Sequence, residues 1–111
     1  MNKAEADHYQ RFAASLLKVS LADSPIVLIH GPRQCGKSTL ARQVGDELGY
    51  AYITFDDDIA RAAAQTDPAG YVAELPARVI IDEVQRVPAL FLALKRVVDN
   101  KRNSGRFMLT G

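Results

Sequence analysis

The run Gly31-Pro32-Arg33-Gln34-Cys35-Gly36-Lys37-Ser38 restricts this 111-residue chain more than any other stretch. It follows four apolar residues, Ile26-Val27-Leu28-Ile29, and leads into a helical pattern, Leu40, Ala41, Val44 and Leu48. A G-x-x-x-x-G-K-S spacing between strand and helix is that of a phosphate-cradling loop. The first backbone N–H groups of a helix have no partner within it. Glycines let the loop curl until those groups face one anion, and the helix dipole favours negative charge at that end. Gly31, Pro32, Arg33, Gln34, Cys35, Gly36, Lys37, Ser38 and Thr39 are therefore candidate phosphate-binding residues. Lys37 is placed to reach the outer phosphates, and the Ser38 hydroxyl to ligate magnesium. Cys35 invites a nucleophile reading, but a Cys-x5-Arg phosphatase loop needs arginine at position 41, which is Ala41. It reads instead as a small residue at a variable loop position.

Around this loop the chain alternates strands and helices. Residues Asp7 to Leu21 are expected to form an amphipathic helix with Tyr9, Phe12, Leu16 and Val19 along its apolar side. Ala22-Asp23-Ser24-Pro25 is a turn. Ile26 to Ile29 has no polar interruption, the mark of a central parallel strand covered on both faces. A helix from Lys37 to Leu48 is capped by Gly49, and Ala51 to Phe55 is a second strand. Ile59 to Gln65 is a short helix, with an aspartate of Asp56-Asp57-Asp58 as its N-cap. Asp67-Pro68-Ala69-Gly70 breaks the chain, and Tyr71 to Leu75 carries no decisive pattern. Arg78 to Glu83 is a third strand. Pro88 suits the first turn of a helix whose stripe is Leu90, Phe91, Leu94, Val97 and Val98. Asn103-Ser104-Gly105 then turns into a fourth strand, Arg106 to Thr110. This alternation implies an α/β fold: a parallel, three-layer sheet with right-handed crossovers.

Ligands of such sheets lie beyond the carboxyl ends of the strands. Asp82 and Glu83 end the third strand there, and Thr110 ends the fourth. Asp82 is expected to hold magnesium, which takes few carboxylates and keeps several waters. Glu83 is the candidate general base for a water attacking a terminal phosphate, and Thr110 a hydrogen-bonding partner of that water or phosphate. Lys37, Glu83 and Thr110 are thus the catalytic candidates, and Ser38 and Asp82 the metal ligands.

Other polar features read as ordinary surface. Three consecutive aspartates, Asp56 to Asp58, cannot all converge on one metal; a helix cap with solvated charge fits them better. Lys95, Arg96, Lys101, Arg102 and Arg106 make a locally basic segment that suits a solvated helix end. His8 and His30 lack paired ligands at zinc spacing. Fourteen Lys and Arg against thirteen Asp and Glu leave a formal charge of +1, which argues for neither nucleic-acid nor membrane binding. No apolar run approaches bilayer length, and the N-terminus lacks the apolar segment of a signal peptide. A single cysteine excludes an internal disulfide framework and fits a cytoplasmic setting.

The combination of Gly31 to Thr39, Phe55-Asp56-Asp57, Ile81-Asp82-Glu83-Val84-Gln85-Arg86-Val87-Pro88 and Phe107-Met108-Leu109-Thr110-Gly111 resembles one prokaryotic group of P-loop NTPases. These are AAA-type ATPases of the AAA+ superfamily that carry a C-terminal domain of unknown function. The resemblance covers roughly residues 8 to 111. It implies that Lys37 and Ser38 match the Walker A residues, Asp82 and Glu83 the Walker B residues, and Thr110 the first sensor. It further implies an additional-strand sheet with the fourth strand between the first and third, and ATP and Mg2+ as ligands. Family members continue with a fifth strand, a helical lid and the C-terminal domain. Residues 1–111 are therefore expected to be the N-terminal part of the ATP-binding domain, with residues 1–25 as a leading helix and turn. Apolar surface beside the first strand is then expected to be uncovered. Mg-dependent ATP hydrolysis is the leading expectation; a nucleotide-binding module or truncated core without turnover is the alternative. A small-molecule P-loop kinase fits less well, because adjacent Asp82-Glu83 activates the water that a kinase must exclude. The resemblance leaves a homo-oligomer and the identity of any protein or nucleic-acid partner open.

Overall fold

Among the described residues four short strands, β1 (Ile26–Ile29), β2 (Ala51–Thr54), β3 (Val79–Asp82) and β4 (Phe107–Thr110), form one parallel sheet in the order β1-β4-β3-β2. The structure is a computed structural model, and it describes residues 2–30 and 36–111. Among the described residues, α1 (Lys3–Asp23) precedes the first strand, and α2 (Lys37–Leu48), α3 (Asp58–Thr66), α4 (Pro68–Ala73) and α5 (Leu90–Asn100) lie between strands.

Period-two alternation sorts the central strands into two apolar layers. Ile80 and Met108 pack with Leu17 and Leu21 of α1 and with Ala41 and Val44 of α2. Val79, Ile81, Phe107 and Leu109 pack on the other side with Ala64 of α3, Val72 of α4 and Leu90, Leu94 and Val98 of α5. Every residue of β3 and β4 is buried, which explains why their sequences run apolar without alternation. The three-layer α/β expectation and the position of β4 between β1 and β3 both hold.

Several local expectations need correction. Among the described residues β1 is not central but one of the two edge strands, and Leu28 is 40% exposed, in keeping with the uncovered apolar surface expected beside the first strand. The apolar stripe read for α1 faces outward, with Tyr9, Phe12, Leu16 and Val19 each more than half exposed. Leu17 and Leu21 are the buried residues of α1. The chain leaving α1 is pinned to β4, since Gly105 and Phe107 donate backbone N–H groups to the Ser24 and Pro25 carbonyls at 2.8 and 2.9 Å. That anchorage sets the rotation of the helix and turns the Leu17–Leu21 side inward. α1 also begins earlier than expected, because the Asn2 side chain accepts the Glu5 N–H at 2.9 Å and caps it.

The expected break falls at Asp67 alone, which ends α3 and precedes α4; Pro68, Ala69 and Gly70 already belong to α4. Asp67 caps it by accepting from Gly70 N–H at 3.1 Å, and Pro68 occupies its first position. Pro88 precedes α5 rather than lying in its first turn, and a 3-10 turn over Val84–Arg86 fills the link from β3. On α5, Phe91 is 41% exposed and Ala93 takes its place in the core. The expected N-cap of α3 is Asp57, which accepts from Ile59 N–H at 2.9 Å.

Candidate functional site

α2 starts at the carboxyl end of the sheet. Gly36 sits just before it at φ 66°, a left-handed conformation that side chains disfavour. The turn that follows brings Lys37 and Ser38 over the ends of β3 and β4. Ser38 Oγ donates to Asp82 Oδ1 at 3.0 Å, and Lys37 Nζ donates to the Gly111 carbonyl at 2.8 Å. Thr39 is exposed. Gly31, Pro32, Arg33, Gln34 and Cys35 lie outside the described residues.

Asp82 is the hub. Its Oδ1 accepts the Thr110 hydroxyl at 2.5 Å, the Ser38 hydroxyl at 3.0 Å and the Glu83 backbone N–H at 3.0 Å. Its Oδ2 accepts the Tyr52 hydroxyl at 2.6 Å. Asp82 is 7% exposed and Thr110 fully buried. Burial alone would raise the Asp82 pKa, but the donors Thr110, Tyr52, Ser38 and Glu83 N–H outweigh it and hold the carboxyl below its ordinary value. The carboxylate is thus kept ionised. Tyr52 responds in the opposite sense: burial first, then its bond to Asp82, push the phenol up to about 12.

Glu83 is the one described non-glycine residue at positive φ, 57° with ψ 41°. That left-handed turn lets its own N–H point back at the preceding carboxylate. Its side chain accepts a hydrogen bond from Gln85 Nε2 at 2.6 Å. Lys37, Ser38, Asp82, Glu83 and Thr110 therefore meet at one end of the sheet, contributed by α2, β3 and β4.

The donor set suits a hard cation. A hydroxyl and a carboxylate face each other across 3.0 Å. Among the described residues no group of three or more His, Cys, Asp or Glu side chains offers a softer or more acidic site. Magnesium binds through one or two carboxylates, with phosphate and water completing its shell, so Ser38 and Asp82 fit it.

Sequence reading missed two members of this cluster. Tyr52 reads only as a residue of the second strand, and Gln85 stands in the Ile81–Pro88 run without a role of its own. The signal for Tyr52 was its parity. Thr54 pairs with Asp82 and Tyr52 with Ile80, so Tyr52 sits diagonally from Asp82 on the same face of the sheet. The aspartate run diverges: Asp57 caps α3, Asp58 pairs with Arg61 at 2.5 Å and Asp56 with Arg86 at 3.2 Å. Of the basic segment, Lys95 and Arg96 lie on α5, and Lys101, Arg102 and Arg106 follow it at the opposite end of the sheet, because α5 carries the chain from the end of β3 back to the start of β4.

The profile of the AAA domain family matches residues 23–111, most of the chain and every element from β1 onward. Two mycobacterial proteins are similar: the uncharacterized proteins Mb2031c of Mycobacterium bovis and Rv2008c of Mycobacterium tuberculosis. Each is 39% identical over 103 residues, covering 92% of this chain. The chain spans 23% of the length of either relative. No solved structure matches it.

Proposed function

Because the chain belongs to the AAA domain family, a nucleotide-binding ATPase type of domain, we propose that it binds ATP at Gly31–Thr39 and hydrolyses the terminal phosphate bond with magnesium. The observation that carries this reading is the convergence of Ser38 and Thr110 on one ionised carboxylate, Asp82, with Glu83 next to it. A hydroxyl and a carboxylate at that spacing, at a helix N-terminus, are what a magnesium–triphosphate requires of a protein.

Lys37 balances charge on the outer phosphates, and Ser38 and Asp82 hold the metal. Bound magnesium supplies electrostatic neutralisation of the phosphate oxygens. Glu83 takes the proton from a water as its oxygen attacks the terminal phosphorus. The bond to the bridging oxygen breaks, and ADP and phosphate leave. Thr110, whose hydroxyl proton goes to Asp82, accepts a hydrogen bond from that water; contact with the terminal phosphate would require the hydroxyl to leave Asp82. ATP rather than GTP follows from the family, as no guanine-reading Asn/Thr-Lys-x-Asp motif is present. We further assign residues 1–111 to the N-terminal part of the ATP-binding domain of the group with a C-terminal domain of unknown function. A cytoplasmic setting is part of the same reading; among the described residues no helix is long and apolar enough to cross a membrane.

A second reading, nucleotide holding without turnover, draws on the Gln85 bond that occupies Glu83. Calorimetric titration with Mg-ATP and a phosphate-release assay on wild type, Lys37→Ala and Glu83→Gln separate the two. Lys37→Ala should lose most nucleotide affinity. Glu83→Gln should bind ATP as wild type does while releasing phosphate about 100-fold more slowly or worse. Unchanged release with binding intact would remove Glu83 from the mechanism; binding without release even in wild type would establish the second reading.

A further inference from the structure

Among the described residues, three of the four hydrogen bonds to the Asp82 carboxylate go to Oδ1, and they come from residues already placed in the site or from the adjacent backbone. Among the described residues, Oδ2 has one partner, the Tyr52 hydroxyl at 2.6 Å. Rotation of the carboxylate about its Cβ–Cγ bond carries both oxygens together, so it would have to break the Tyr52 bond as well as the three to Oδ1. Tyr52 is the described residue that resists that rotation from the Oδ2 side. Magnesium demands near-ideal octahedral geometry, so the tilt of the one carboxylate that serves it matters.

The Tyr52 ring is itself held in place. Arg42 lies over its face, 4.4 Å from guanidinium carbon to ring centroid. Arg42 follows Ser38 by four residues on α2, so both project from one side of that helix. One helix thus delivers a hydroxyl to Oδ1 and a cation to the residue that holds Oδ2. Tyr52 is 36% exposed, so packing alone does not explain an aromatic residue here; a core residue of that size would be covered.

We propose that Tyr52 is a positioning residue: its hydroxyl fixes the orientation of the Asp82 carboxylate and thereby sets the metal affinity of the site, leaving nucleotide affinity untouched. The proposal rests on the magnesium role assigned to Asp82 above. Removing an outer hydrogen-bond partner of a metal-holding carboxylate typically costs 10- to 100-fold in metal affinity. Among the described residues, the Tyr52 hydroxyl meets the site at Asp82 Oδ2.

The test measures metal and nucleotide binding separately, in wild type, Tyr52→Phe and Asp82→Asn. Nucleotide affinity is taken by calorimetry in EDTA with a non-hydrolysable ATP analogue. Mg2+ is then titrated into the analogue-saturated protein. Circular dichroism melts accompany each variant. Tyr52→Phe, which keeps the ring and loses only the hydroxyl, should bind Mg2+ about tenfold or more weakly, with metal-free nucleotide affinity within twofold of wild type. Asp82→Asn should lose more. If Asp82→Asn weakens Mg2+ binding and Tyr52→Phe does not, the inference about Tyr52 fails alone. Equal losses of metal-free and metal-dependent affinity in Tyr52→Phe would make Tyr52 merely structural and overturn it too. If Asp82→Asn binds Mg2+ like wild type, the metal assignment itself is wrong and the Tyr52 role falls with it.

Discussion

Asp82 is where α2, β2, β3 and β4 are tied together through one side chain, by Ser38, Tyr52, Glu83 and Thr110. Hydrogen bonds to a charged group contribute about 1.5–3 kcal/mol each, so this cluster stabilises the fold as well as shaping the site. Its folded-state pKa is depressed. Stability from such a carboxyl is fully present above its unfolded value, about pH 3.9. It is lost as the pH falls from there through the lower folded value. Thr110→Val removes the fully buried donor to Oδ1 with little change of shape. Thermal melts should show a loss of about 1–3 kcal/mol near neutral pH. That deficit should shrink in acid, once Asp82 is protonated in both proteins. A deficit that stays constant from neutral to acid pH would show that the hydroxyl does not act through the carboxylate.

At the scale of elements, α2 shows two rules in conflict. Gly45 lies in the helix interior, where alanine would gain about 1 kcal/mol in propensity. Yet a methyl group there would meet Ile80 Cδ1 at 2.5 Å and Tyr50 Cβ at 3.2 Å. Ile80 is 2% exposed and has little room to yield, and overpacking a core costs about 1–3 kcal/mol. The clash should win: Gly45→Ala is expected to lower the melting temperature by several degrees, the equivalent of about 1 kcal/mol. A higher melting temperature would mean α2 packs on β3 less tightly than this. The helix itself was legible from Lys37 to Gly49, because its periodicity and its C-terminal glycine are local signals. α4 was not, since Asp67-Pro68 reads equally as a turn and as a cap with Pro in the first helical position.

For the whole molecule, the consequential surprise is the direction in which α1 faces. Leu16 is 53% exposed and its neighbour Leu17 only 6%. Leu17→Ala should therefore cost about 2–4 kcal/mol in denaturant melts, and Leu16→Ala no more than about 0.5. Comparable losses at the two positions would mean that α1 docks through its other side. The sequence by itself determined the alternation of strands and helices and the cradle spacing before α2. It also put Asp82, Glu83 and Thr110 at the carboxyl end of the sheet. Each of those follows from short-range periodicity or from a motif whose members are neighbours in the chain. Tertiary structure alone decided which side of α1 is buried and that Glu83 takes a left-handed turn. It alone brought Tyr52 to Asp82 across 30 residues. Such contacts depend on strand register and on where the turn after α1 is anchored, and no local pattern in the chain encodes either.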